Sequence, residues 1–154
     1  MRSHEMRTGR SVLVAFEHGE DFFDGLLEAC RANDIRQGYI PMFIGGMATA
    51  EIIGSCERPA DPQAPIWTPV HLTGLDVVGA GTIAYDPATG TSQPHVHLSA
   101  GIRGYSATAH TGHLLRGTVQ YLTELVIVEV TAPALRRVAD PDLYDLAVLR
   151  FGAE

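Results

Sequence analysis

Residues 94–130, PHVHLSAGIRGYSATAHTGHLLRGTVQYLTELVIVEV, decide how this chain is read. The clearest strand in it is Val126 to Val130, VIVEV, a run of β-branched residues. Leu114 to Tyr121 and Leu122 to Val130 read as two strand-like runs, and Pro94 to Ile102 as another. Between them, Arg103 to Thr111 is polar and small, a loop that lets the next strand return beside the first. Alternate side chains of a strand share a face, so His95 and His97 point the same way with Cα atoms about 6–7 Å apart. Val96 then turns to the core. Two imidazoles do not hold an ion tightly, and His110 and His113 are the candidates for a third ligand. Three protein ligands with one open position make a catalytic type of zinc geometry.

Working outward, Ser11 to Phe16 reads as a strand, and residues 1–10 as a loose tail before one domain over 11–154. The apolar spacing of Phe22, Phe23, Leu26, Leu27 and Ala29/Cys30 is helical with one buried face. Glu20, Asp21 and Asp24 suit the positive end of its dipole, and Asn33-Asp34 stops it. Gln37 to Ile44 reads as a strand with Pro41 at an edge or bulge, Gly45-Gly46 as a turn, and Met47 to Ile53 as a further strand with helix as the competitor. Residues 54–68 hold three prolines and read as a loop. Pro69 to Tyr85 reads as two strands or one bulged strand, 86–90 (DPATG) as a tight turn, and Tyr144 to Phe151 as a last strand after an irregular stretch marked by Pro133 and Pro141. The fold class expected is α+β, mostly antiparallel sheet, with seven or more short strands and one main helix.

The chain has 154 residues and a net charge of −7, with no lysine and eleven arginines, of which only Arg136 and Arg137 adjoin. That balance disfavours direct nucleic-acid binding. Cys30 and Cys56 form no C-x-x-C pair and read as reduced thiols, and no apolar run is long enough for a membrane span. A cytoplasmic location is expected. Of the other histidines, His71 reads as a core or edge residue, His18 as a cap or surface residue, and His4 as part of the tail.

The ordered set Gly19-Glu20-Asp21, Gly45-Gly46, His95-x-His97, Gly112-His113-Leu114 and Glu124 resembles the plant and prokaryote conserved (PPC) domain across Ser11 to Val130. The resemblance implies an α/β sandwich-like domain that assembles as a homotrimer, with His95, His97 and His113 as metal ligands and His110 as a neighbour. A similar H-x-H…G-H pattern occurs in the acetolactate decarboxylases, which hold zinc with three histidines. The carboxylate that precedes the H-x-H hairpin in the family falls here at Leu75 or Asp76. The AT-hook of plant members is absent, since Thr8-Gly9-Arg10-Ser11 lacks its first Arg and its Pro.

Two functions follow as expectations, beside the plainer reading of an oligomerisation module. One is a trimeric domain with a three-histidine zinc site for a small carbonyl or carboxylate ligand. A zinc-dependent lyase or decarboxylase would then use Glu124 to move a proton, and Arg103 or Arg116 to hold the substrate carboxylate. The other is a transcription-associated protein that reaches DNA through a partner.

Overall fold

The computed structural model describes residues 1–54, 65, 67–104 and 108–152. Seven strands and one α-helix follow in the order β1 (Arg7–Glu17), α1 (Phe22–Ala32), β2 (Gly38–Ile53), β3 (Val70–Asp86), β4 (Thr91–Ile102), β5 (Ala109–Ala132), β6 (Leu135–Asp140) and β7 (Leu146–Phe151). Every strand pairing is antiparallel. The fold is the α+β, mostly antiparallel architecture expected, although its central strands are long. The five-stranded sheet runs β1-β5-β2-β3-β4, and β4 pairs again with the start of β5, so β2 to β5 close into a small barrel.

The sheet is built on β5. Its 24 residues pair first with β4, then with β2 along most of their length, and finally with β1. The sequence divides this strand at Tyr121/Leu122, and the division marks a bulge rather than a strand end. The register jumps from Gly45↔Thr123 to Gly46↔Gln120, and Tyr121 takes φ +66°. Gly45-Gly46 is correspondingly not a turn. A Cβ on Gly46 would lie 2.4 Å from the Gln120 carbonyl oxygen, so the glycine is there for close approach to β5.

Helix α1 has the acidic start noted in the sequence, and the structure makes Asp21 its cap. The Asp21 carboxylate accepts from the Phe23 and Asp24 backbone N–H groups at 2.9 and 3.0 Å, and the helix ends at Asn33. Its buried face, Phe22, Leu26 and Cys30, packs on the sheet, with the Phe22 ring 5.3 Å from Phe16 and 5.0 Å from Phe43. Cys30 is a buried free thiol, held to about pKa 11 by burial; Cys56 lies outside the described residues.

Two readings of the chain's ends are corrected. Strand β1 starts at Arg7, inside the segment read as tail, because Arg7 and Thr8 pair with Ala132 and Val130 and Arg10 binds Glu129 at 3.1 Å. Tertiary pairing holds this polar segment, which its hydropathy cannot reveal. After Pro133, the stretch read as irregular contains strand β6, which forms a hairpin with β7. Gln37 fastens the start of that hairpin. Its side chain donates to the Val130 and Pro133 carbonyls, and the Leu135 N–H donates to its Oε1 at 2.7 Å. Leu135 joins Ala84 and Val130 in a small second core.

Candidate metal centre

The three histidines expected as ligands stand together. His95 and His97 project from one face of β4, and Val96 between them is fully buried in the core. His113 lies directly opposite His97 in the β4–β5 pairing. The donor atoms of all three fall within 4.8 Å of one another, and the Nε2 atoms of His95 and His97 are 3.1 Å apart. Two nitrogens on one tetrahedral zinc, each about 2.0–2.1 Å from it, would stand about 3.3 Å apart. His113 Nδ1 is buried with no hydrogen-bond partner. An orphaned imidazole nitrogen and two others at coordination spacing fit a bound divalent ion.

Electrostatics favour ligand-ready imidazoles. Burial, aided by Arg137 and the two neighbouring rings, pulls His95 down to about pKa 4. Burial, His97 and Arg137 also lower His113. These rings stay neutral at physiological pH, with lone pairs available to an ion.

The cluster forms part of the wall of an open cavity of about 840 Å³. The remaining wall is mainly apolar and includes Leu115, Leu146, Val148 and Leu149. Among the described lining residues there is no carboxylate; the charged one is Arg137. Sequence reasoning missed it, noting Arg136 and Arg137 only as an adjacent pair. In the structure the alternation of β6 puts Arg137 on the same face as the buried Leu135, but the stretch does not read as a strand in sequence.

The other candidates lie elsewhere. His110 is opposite Ala100, exposed, and outside the cluster. Glu124 is exposed beyond the Tyr121 bulge, opposite Ala15 of β1 and Ile44 of β2, and the chain does not bring it to the histidines. Arg103 lies in the turn after β4, beside a different hollow that also contains Asp76. Arg116 is exposed and 3.7 Å from Glu51. His71, read as a core or edge residue, is exposed, 3.5 Å from that same carboxylate. His18 is a surface residue that accepts the Tyr121 backbone N–H at 3.1 Å.

Solved structures share this fold. A plant- and prokaryote-conserved protein from Pyrococcus horikoshii is 20% identical, with a TM-score of 0.79 over 100% of both chains. A metal-containing protein from Archaeoglobus fulgidus is also 20% identical, with a TM-score of 0.78 over 97% of this chain and 99% of that one. The α-acetolactate decarboxylase of Bacillus subtilis is 14% identical at a TM-score of 0.55, and the match covers 77% of this chain but 52% of the decarboxylase. At these identities the likeness is one of fold. No curated protein matches the chain. The sequence pattern of the Plants and Prokaryotes Conserved domain matches residues 3–131, and the chain belongs to that family.

Proposed function

We propose that this protein is a homotrimeric, cytoplasmic metal-binding domain in which His95, His97 and His113 hold one zinc ion facing a small-molecule cavity. The observation that carries the reading is the convergence of three imidazole donors within 4.8 Å on the cavity wall. An all-imidazole set suits zinc among the common divalent ions. A zinc ion there would polarise a carbonyl or lower the pKa of a bound water. The chain's own contribution is to keep His95 and His113 neutral, orient the three rings from two paired strands, and surround the open side with apolar side chains.

Binding of a small carbonyl or carboxylate compound is the function these features support. Lyase chemistry would also need a group to move a proton, and Glu124 is not placed to do so within one chain. Direct DNA binding is disfavoured by the net charge of −7.

Elemental analysis of the purified protein tests the proposal. Near-stoichiometric zinc, lost in the His95→Ala/His97→Ala variant while the circular dichroism spectrum is retained, is the expected result. Wild-type protein without metal after growth in zinc-supplemented medium would refute it.

A further inference from the structure

We infer that Arg137 is the anion anchor of the cavity, and that the ligand is a small 2-oxo or 2-hydroxy monocarboxylate with an apolar body. The 2-oxygen assignment rests on the metal reading above; the Arg137 assignment stands on the cavity alone.

Arg137 comes from the β6–β7 hairpin, beyond the 3–131 stretch that defines the family. Its Nη2 donates to Thr82 Oγ1 at 2.6 Å, and its Nη1 to the Ala147 carbonyl at 3.3 Å. Thr82 is the direct partner of His95 across the β3–β4 ladder. The guanidinium is thereby fixed beside the three-histidine cluster. It is half-buried, its Nε has no hydrogen-bond partner, and no carboxylate among the described residues pairs with it.

A partly desolvated guanidinium without a counter-charge calls for an anion. With a divalent ion at the histidines, the described wall would carry a formal charge of about +3 with no acidic side chain against it. Carboxylate matches the guanidinium fork, and arginine binds it through paired charge-assisted hydrogen bonds. An oxygen on the adjacent carbon would then be available to the ion. The aliphatic walls from Leu115, Leu146 and Val148 select a short hydrocarbon body over a highly hydrated dianion such as phosphate.

The chain's single tryptophan, Trp67, lines this cavity and supplies a reporter. Its fluorescence would be titrated with 2-oxoisovalerate, with the neutral ketone 3-methyl-2-butanone, and with inorganic phosphate. Wild type, Arg137→Gln and Arg137→Lys are compared, each zinc-loaded and chelator-treated, with metal content measured on the same samples. The oxo acid should bind wild type ahead of both comparison compounds. Arg137→Gln should keep its zinc and lose about 10- to 100-fold in affinity, the cost of charge-assisted hydrogen bonds. Arg137→Lys should fall between them, and it carries the test should the glutamine variant fail to fold. Equal oxo-acid binding by wild type and the Arg137 variants would overturn the assignment, as would no preference for the oxo acid over the ketone or phosphate. Arg137-dependent binding by protein that takes up no zinc would uphold the anchor and remove only the metal reading. Zinc uptake with Arg137-independent binding would do the reverse.

Discussion

His97 and His113 are direct partners across the β4–β5 ladder, their ring centroids 5.3 Å apart. Paired strands bring them together although a whole loop separates them in sequence. His110, three residues before His113, pairs with Ala100 and stays outside the cluster. The two histidines of AHTGHL should therefore behave oppositely. His113→Ala should weaken zinc retention by more than the roughly 10- to 100-fold typical of losing an outer partner of a ligand, whereas His110→Ala should retain zinc at the wild-type level. Competition with a chromophoric chelator measures both. Zinc lost equally from the two variants would show that the ladder does not define the ligand set.

Gly112 explains why a glycine precedes that ligand. A Cβ there would lie 2.2 Å from the Ile53 carbonyl oxygen on β2, a backbone atom that cannot swing away. Gly112→Ala should force β5 away from β2 beside His113, costing about 1–3 kcal/mol of stability as overpacking does, and should loosen metal binding with it. Urea unfolding of the metal-free protein reads the first effect and chelator competition the second. Wild-type stability in this variant would count against the close approach.

The legible parts of the fold were those written in local pattern. Alternation placed His95 and His97 on one face with Val96 in the core, apolar spacing marked the helix, and Asn33-Asp34 marked its end. What escaped was set by distant partners. Gly45-Gly46 carries turn composition, yet it lets two strands meet closely opposite the Tyr121 bulge. Residues 7–10 are polar, yet they complete a ladder with the end of β5. Among the ligand candidates, spacing left His110 and His113 open, and only the family resemblance favoured His113. Arg137 depended on a hairpin fastened by Gln37, a long-range contact with no sequence signature.

The contact between Arg10 and Glu129 gives a pH test of that first strand. Hydrogen bonds from the Arg10 side chain and backbone hold the Glu129 carboxyl below its usual range. A depressed carboxyl stabilises the fold above its unfolded pKa, and that contribution disappears as pH falls through the lower folded value. Glu129→Gln should therefore lower the thermal midpoint slightly at pH 7, and the difference from wild type should close below about pH 4. About 1 M salt should shrink it at neutral pH, since the pair is exposed. A difference that grows on acidification would contradict this assignment. Thermal melts across pH 3–7, with and without salt, supply the comparison.

The outer face of the main sheet bears on assembly. Ala15, Glu124, Ile44, Val78 and Ser99 are successive partners across β1, β5, β2, β3 and β4, so their side chains form one row. Ile44 and Val78 are 43% and 53% exposed, and Leu13, further along β1, is 83% exposed. Apolar side chains of this size exposed on the outside of the sheet are the material of a subunit interface. They support the homotrimer proposed above, in which Glu124 would lie at the interface rather than at the metal. Light scattering should give three times the 16.6 kDa chain mass. Val78→Glu should shift the protein to monomer, because a carboxylate buried at such a contact without a partner is strongly unfavourable, while its far-ultraviolet circular dichroism stays that of the wild type. A trimer undisturbed by Val78→Glu would place the interface on another face, and a wild-type monomer at high concentration would remove the trimer altogether.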